Sequence, residues 1–253
     1  MIELHHEITG PEDAPPLVLS NSLGSNLSMW DPQLEALAER FRVIRYDQRG
    51  HGRSPVPDGP YSIDDVGADA VALLDRLGID RAHFCGLSLG GMTGMWLAIH
   101  APERVDRLAL LCTSAKLGPP SNWAERAALV REKGTAAIAD GGLERWVTDE
   151  FVAAHPEQAE WLRQMMLDTP DEGYAGCCEV IQHMDLEPRL HEIRAATLVI
   201  AGDQDPATPP EHAERIAAAV DGARVEVVSP GRHLANVERV EEITALLLEH
   251  LEA

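Results

Sequence analysis

A short Gly-x-Ser-x-Gly stretch constrains this chain more than any other feature of its sequence. Ser88 lies between Gly86 and Gly90, directly after an apolar run and directly before a helix-like segment. A serine at the sharp bend between a strand and a helix has a strained backbone, so its close neighbours need to lack side chains. This arrangement, a nucleophile elbow, raises the serine hydroxyl above the edge of a sheet. Ordinary glycine-rich turns match the same short motif, so the rest of the chain has to decide.

Apolar runs of strand length recur along the chain and alternate with helix-like segments. The predicted strands cover residues 2–8, 16–20, 42–47, 82–87, 105–112, 196–202 and 223–228. Such alternation predicts an α/β fold with a mostly parallel central sheet and helices on both faces. The length of 253 residues suits one large domain with an insertion.

The strand pattern is absent from the middle of the chain. We interpret residues 115–190 as an inserted helical cap of about four helices, called the cap segment below. Residues 1–114 and 191–253 then form the core domain. Turn-forming pairs are expected to separate the cap helices at Gly141-Gly142, His155-Pro156 and Thr169-Pro170.

Two residues that follow later strands are candidates for activating Ser88. A serine hydroxyl is a weak nucleophile and needs a base, usually a histidine that is held by a carboxylate. Asp205 follows the predicted strand 196–202, and His233 follows the last predicted strand. Strand ends of this kind carry the ligand sites of open α/β sheets, and the order serine, acid, histidine is a known order of a catalytic triad. Asp203 is the alternative carboxylate, with Asp205 then a turn residue.

Two backbone N–H groups are candidates for an oxyanion hole. The first belongs to Leu89, which directly follows the predicted nucleophile. The second belongs to Leu23, in the small, polar and glycine-rich loop after the strand 16–20. Each such donor stabilises the transition state by about 3 kcal/mol.

The chain is strongly acidic, with a net charge of −21 from 42 acidic and 21 basic residues. Such a surface repels nucleic acids and anionic membranes, which we exclude as main partners. The four cysteines include no Cys-x-x-Cys pair, so we expect reduced thiols and no metal site. The first residues do not form a basic, apolar leader, and no run reaches the roughly 20 apolar residues of a membrane span. We therefore expect a soluble, cytoplasmic protein.

Several stretches resemble known enzymes. The run Asp47-Gln48-Arg49-Gly50-His51-Gly52-Arg53-Ser54 resembles the Asp-x-Arg-Gly-x-Gly-x-Ser loop of the α/β-hydrolase superfamily, which the chain resembles over essentially its full length. Many members have His-Gly at the oxyanion loop, where this chain has Asn21-Ser22. That departure and further matches resemble the 3-oxoadipate enol-lactonases of the β-ketoadipate pathway. The matching stretches are residues 19–24, 114–116, 144–146, 173–178 and 201–210.

The resemblance implies hydrolysis of a five-membered enol-lactone that carries an acetate side chain, giving 3-oxoadipate, without a metal or cofactor. The free carboxylate of this small anionic lactone needs a cation or several donors under the cap. We prefer Arg126, which closely follows Trp123, among four cap arginines: Arg126, Arg145, Arg163 and Arg189. Trp123 and Trp146 form either walls of the pocket or the core of the cap. His51 and His183 are further residues that could line the pocket.

Other functions on the same scaffold stay open at this point. A carboxylesterase, a C–C bond hydrolase or a perhydrolase uses the same serine chemistry. Haloalkane dehalogenases and epoxide hydrolases are disfavoured because they use aspartate where this chain has Ser88. A ligand receptor on a hydrolase scaffold is the alternative from another class, and the intact set of Ser88, Asp205 and His233 argues against it.

Overall fold

Seven strands form one central sheet in the computed structural model, which describes residues 1–253. The strands are β1 (His6–Thr9), β2 (Pro16–Ser20), β3 (Arg42–Tyr46), β4 (Ala82–Leu87), β5 (Val105–Leu111), β6 (Ala196–Gly202) and β7 (Arg224–Val228). Their order across the sheet is β1-β3-β2-β4-β5-β6-β7. Strand β1 is antiparallel to β3, and every other pair is parallel. The predicted α/β class with a mostly parallel sheet is confirmed.

Helices connect the strands and cover the sheet. They are α1 (Asp31–Ala38), α2 (Ile63–Arg76), α3 (Leu89–His100), α4 (Pro120–Lys133), α5 (Ala139–Trp146), α6 (Asp149–Ala154), α7 (Pro156–Leu167), α8 (Asp171–His183), α9 (Pro210–Ala219), α10 (Ala235–Glu238) and α11 (Val240–Glu252). All six residues of the central strand β4 are buried, as expected for a parallel sheet with both faces covered. Helix α1 packs against α11, and α2 packs against α3.

The first strand is shorter and later than the sequence predicts. The alternation over residues 2–8 indicates a strand there, whereas β1 spans His6–Thr9 at the edge of the sheet. Two N–H groups before it donate to side chains instead of to a neighbouring strand. The Ile2 N–H donates to Asp69 Oδ1 over 2.9 Å, and the His5 N–H donates to Ser54 Oγ over 2.9 Å. These contacts place Leu4 in the core without a strand around it.

The segment between β5 and β6 contains five α-helices, α4 to α8, where the sequence suggests about four. The predicted break at Gly141-Gly142 is wrong, because both residues lie inside α5. A Cβ on Gly142 would overlap the Met166 side chain, so this glycine lets α5 and α7 approach closely. The chain breaks before α5 at Gly134 instead, where φ is 75°.

Glycine-to-backbone contacts dock the cap segment on the core. The loop that contains Gly50 touches Gly173 in the first turn of α8, and a Cβ on Gly173 would overlap the Gly50 carbonyl oxygen. One turn further along α8, a Cβ on Gly176 would lie 2.6 Å from the ring of Tyr61. Helix α4 packs against α8. The position of α8 therefore depends on the absence of side chains at its contact with the core.

We expect Gly173→Ala to destabilise the protein, because the added methyl group cannot fit against the backbone of Gly50. The free energy of unfolding should fall by about 1–3 kcal/mol, the usual range for overpacking. Denaturant titration measures this change. Gly141→Ala is the matched control in a cap helix, where the nearest atom to an added Cβ is Arg145 Nη1 at 3.6 Å. Equal stability of the two variants would contradict the close contact.

Candidate active site

Ser88 occupies the turn between β4 and α3 with a backbone that few residues adopt. Its φ is 57° and its ψ is −115°. Positive φ is costly for a residue with a side chain and persists only where the surroundings enforce it. Here the Ser88 N–H donates to Leu111 O over 2.9 Å, and the Ser88 carbonyl accepts from Thr113 Oγ1 over 2.7 Å. Both contacts come from β5 or the residues just after it, so the neighbouring strand holds the elbow.

The two flanking glycines are required by close backbone packing. A Cβ on Gly86 would overlap the carbonyl of Gly90, and a Cβ on Gly90 would overlap the carbonyl of Ser20 at the end of β2. The Gly90 N–H also donates to Asn21 O over 2.9 Å. The motif thus joins the start of α3 to the loop after β2, which carries Leu23.

His233 and Asp205 form a buried pair. His233 Nδ1 lies 2.8 Å from Asp205 Oδ2, and the two residues are 6% and 3% exposed. Asp205 also accepts from Thr208 Oγ1 over 2.7 Å and from the Ala207 N–H over 2.8 Å. Burial by itself would raise the pKa of Asp205, but the charge of His233 and these hydrogen bonds lower it below its ordinary value. The carboxylate therefore stays ionised and can orient an imidazolium.

Asp203, the alternative acid, has a different set of contacts. Its carboxylate accepts from Ser229 Oγ over 2.6 Å and from the Gly231 N–H over 3.0 Å. These bonds shape the turn that leads to His233, and Asp203 does not touch the imidazole. The geometry thus favours Asp205 as the partner of the histidine.

Ser88 and His233 line the same pocket. The imidazole bonds through Nδ1 to Asp205, which leaves Nε2 as the ring nitrogen available toward the pocket. The Ser88 hydroxyl makes no hydrogen bond to His233 in this geometry; such bonds often tighten only when substrate is bound. Serine, histidine and aspartate have therefore come together from three separate strand ends.

The two predicted oxyanion donors have no partner within the protein. Neither the Leu23 N–H nor the Leu89 N–H takes part in a backbone hydrogen bond. Leu89 is the first residue of α3, so its N–H lies at the positive end of that helix. Leu23 lines the pocket, and the next residue, Gly24, has a φ of 80°. The two groups are available to an oxygen that becomes negative above Ser88.

His51 does not line the pocket, contrary to one expectation from the sequence. It is 1% exposed and contacts the loop that carries Leu23. Its Nε2 accepts from the Gly24 N–H over 3.0 Å, and its Nδ1 lies 3.0 Å from Arg49 O, which assigns the proton to Nδ1. Burial lowers the pKa of His51 and keeps it neutral, as an acceptor has to be. His183, the other candidate, is exposed on α8 and outside the pocket.

The pocket that contains Ser88 and His233 is lined mainly by apolar and aromatic side chains with a few polar and charged groups, as is usual for small-molecule sites. Both predicted tryptophans line it, Trp123 half-buried and Trp146 4% exposed. Other lining residues come mainly from the cap segment and were not singled out in the sequence: Leu117, Met166, Tyr174 and Ile181. Of these four residues, only Tyr174 could have been suspected from the sequence, because it lies in a stretch that matches the enol-lactonases.

Two of the four candidate arginines line this pocket, Arg126 and Arg145. Arg126 stacks over the ring of Trp123, with its guanidinium carbon 5.1 Å from the ring centroid. Arg163 instead pairs with Asp140 over 2.7 Å, and Arg189 pairs with Glu192 over 2.8 Å. No aspartate or glutamate lines the pocket, so it is locally positive in an acidic protein.

The loop that carries His233 is bonded to the end of α5. The Leu234 N–H donates to Trp146 O over 2.8 Å, and the His233 N–H lies 3.4 Å from Arg145 O. Glu238 accepts from the N–H groups of both segments, at Arg232 over 2.5 Å and at Thr148 over 2.6 Å. The histidine loop and this cap helix therefore form one hydrogen-bonded unit, which is called the α5–histidine unit below (residues 144–148 and 232–238).

The structure contains no group of three or more His, Cys, Asp or Glu side chains arranged to hold a metal ion. All four cysteines are free and buried. No helix combines the length and apolar character needed to cross a bilayer.

The sequence matches the family model described as alpha/beta hydrolase fold over residues 15–134 and 129–240. The chain belongs to this α/β-hydrolase family, and it is an enzyme. It is 44% identical to 3-oxoadipate enol-lactonase 2 of Acinetobacter baylyi over 94% of this chain and 89% of that protein. The crystal structure of the enol-lactonase from Burkholderia xenovorans LB400 superposes with a TM-score of 0.97 at 42% identity, covering 99% of this chain and 96% of that one. The resemblance to the 3-oxoadipate enol-lactonases is thereby confirmed.

A more distant relative carries another name. The putative carbamate hydrolase RutD of Stutzerimonas stutzeri is 32% identical over 98% of this chain and 96% of that protein.

We expect His51→Ala to slow hydrolysis of p-nitrophenyl acetate, because the Gly24 N–H loses its acceptor and the loop that carries Leu23 is no longer held. Loss of an oxyanion donor lowers kcat by about 100-fold to 1,000-fold, so a displaced donor should cost about tenfold or more. KM should change little, since the pocket walls are untouched. Steady-state kinetics measure both constants. His183→Ala on the exposed face of α8 is the control, and equal kcat values for the two variants would contradict this role.

Proposed function

We propose that this hydrolase opens 3-oxoadipate enol-lactone to 3-oxoadipate through a catalytic triad of Ser88, His233 and Asp205. The observation that carries the proposal is the pocket that Ser88 and His233 share with two arginines that have no acidic neighbour in its lining. A serine nucleophile beside a histidine–carboxylate pair suits acyl transfer, and local positive charge suits an anionic substrate. The similarity to enol-lactonases supports the same substrate.

The reaction begins when His233 removes the proton of Ser88 and the serine oxygen attacks the lactone carbonyl. The N–H groups of Leu23 and Leu89 stabilise the negative oxygen of the tetrahedral intermediate. Collapse of the intermediate breaks the ring C–O bond, and His233 returns the proton to the leaving enol oxygen. The enol then becomes a ketone, which makes ring opening hard to reverse.

The acyl group remains on Ser88 until a water molecule attacks it. His233 activates this water as it activated the serine, and the same two N–H groups stabilise the second intermediate. Asp205 keeps the imidazole in the required tautomer and stabilises its charged form. These steps need no metal or cofactor.

The side-chain carboxylate of the lactone binds Arg126 in this proposal. The guanidinium lies over Trp123, which restricts its motion, and it forms no ion pair with an acidic residue that would compete with a carboxylate. Trp123 and Trp146 form apolar walls around the ring. Residues 115–190 act as the cap domain, and residues 1–114 and 191–253 act as the catalytic core. The enzyme then acts in the β-ketoadipate pathway of aromatic catabolism, in the cytoplasm.

The nearest alternatives are other reactions on the same scaffold: hydrolysis of a simple ester or a carbamate, cleavage of a C–C bond, or perhydrolysis. A positive pocket disfavours neutral esters as the main substrate, because two arginines without a counter-charge are costly to hold in a half-buried site. Comparison of kcat/KM for the enol-lactone and for p-nitrophenyl acetate decides between lactonase and general esterase.

We expect Ser88→Ala to abolish hydrolysis of the enol-lactone and labelling by a fluorophosphonate, because the acyl-enzyme cannot form without the hydroxyl. Loss of a triad serine lowers kcat by about a million-fold. Circular dichroism should show an intact fold. Ser121→Ala, an exposed serine on α4, is the control and should keep full turnover. Near-normal turnover in Ser88→Ala would refute the mechanism, and a wild-type protein that takes no label would favour a binding function.

We expect Arg126→Ala to raise KM for the anionic lactone by about tenfold or more, the usual value of a charge-assisted hydrogen bond. KM for a neutral ester should change by less than about threefold, since that substrate has no carboxylate to lose. Steady-state kinetics on both substrates measure the difference. Arg163→Ala, which removes an arginine paired with Asp140 outside the pocket, is the charge-matched control. Equal effects of Arg126→Ala on both substrates would remove the proposed role of this arginine.

A further inference from the structure

The pocket holds one more cation than its proposed substrate has carboxylates. Arg126 is sufficient for the single carboxylate of an enol-lactone, and Arg145 lines the same pocket without an assigned partner. Nearby arginines in the cap segment are paired with acids, such as Arg131 with Glu172 and Arg163 with Asp140. Arg145 has no such pair, although it is half-buried.

The two guanidinium groups are close enough to repel each other. Burial lowers the pKa of Arg145, and the charge of Arg126 lowers it further. No carboxylate in the lining relieves this repulsion, and the only carboxylate that offsets it in part is that of Glu144, outside the lining. Two cations held in one half-buried pocket therefore favour a ligand that brings two negative charges.

The backbone of Arg145 is fixed relative to His233. It belongs to the α5–histidine unit, in which the His233 N–H lies 3.4 Å from Arg145 O and the Leu234 N–H donates to Trp146 O. The second cation is therefore anchored to the loop that carries the catalytic base, while Arg126 comes from the separate helix α4. The pocket thus presents one arginine from each of two helices to a ligand.

We propose that this pocket is a binding site for small dicarboxylates, with one carboxylate on Arg126 and the other on Arg145, so that the reaction product binds more tightly than the substrate. The link to the product rests on the proposed function. Hydrolysis adds the oxygen of water to the acyl carbon, breaks the ester C–O bond and releases a proton from the new acid. A monoanionic lactone thereby becomes a dianion, and competitive inhibition by the product follows.

The test measures binding of adipate, a six-carbon dicarboxylate, and of hexanoate, a monocarboxylate of the same length, by calorimetry in the Ser88→Ala background. Adipate should bind about tenfold or more tightly than hexanoate, because each charge-assisted pair contributes about a factor of ten. Adding Arg145→Gln or Arg126→Gln should each weaken adipate by about tenfold or more. Both substitutions together should leave adipate no tighter than hexanoate.

Arg163→Gln controls for loss of charge from the cap segment and should leave adipate binding unchanged. Equal affinity of adipate and hexanoate would overturn the proposal. So would adipate binding that is insensitive to Arg145→Gln, including the case in which that substitution lowers only kcat for the lactone.

This binding measurement does not depend on turnover, so it separates the two proposals. If adipate binding requires both arginines but the enol-lactone is not hydrolysed, the dicarboxylate site stands and the proposed function fails. If the lactone is hydrolysed but adipate binds no better than hexanoate, the dicarboxylate site fails alone. In the wild type, adipate should also inhibit hydrolysis of p-nitrophenyl acetate competitively, and noncompetitive inhibition would contradict a site in this pocket.

Discussion

The strained turn at Ser88 is the constraint on which the rest of the site depends. Ser88 holds a positive φ because its N–H donates to Leu111 in β5 and its carbonyl accepts from Thr113 just after β5. The absence of a side chain at Gly90 also lets the start of α3 approach the end of β2. The same close approach bonds Gly90 to Asn21 and so sets the distance from Ser88 to the loop of Leu23. The turn at Ser88 and the loop of Leu23 are thus parts of one packing arrangement. His51, from behind, completes it by bonding Gly24.

The charge distribution around the pocket differs from that of the whole chain. The chain has a net charge of −21, yet the pocket lining includes two arginines and no carboxylate. The acid that faces His233 is shielded from the pocket, since Asp205 is 3% exposed and its oxygens are bonded to Thr208, Ala207 and the imidazole. Negative charge is therefore kept behind the histidine, and positive charge is presented to the pocket. A low pKa at Asp205 keeps this separation at neutral pH.

The sequence predicts those parts of the molecule that depend on local pattern. Strand ends locate Ser88, Asp205 and His233 because buried strands have a clear period and the elbow has required glycines. The sequence does not decide whether Asp203 or Asp205 is the partner of His233, since both follow β6 and only tertiary hydrogen bonds distinguish them. The cap is less predictable. Gly142 looks like a helix breaker in the sequence, but in the structure it allows two helices to pack closely. The sequence also cannot tell which cap arginines line the pocket, because that depends on how each helix is oriented.

The α5–histidine unit has a consequence for exchanging caps between members of this family. Glu238 bonds to main-chain N–H groups at Arg232 and Thr148, and the Trp146 carbonyl accepts from Leu234. A chimaera joined at the ends of the cap segment would cut no strand, but it would transplant one half of this hydrogen-bond set without the other. The histidine loop of the recipient would then have to form these hydrogen bonds with the backbone of a different protein. Grafts that carry residues 144–148 together with 232–238 keep the unit whole, so the natural unit of recombination here is discontinuous in sequence.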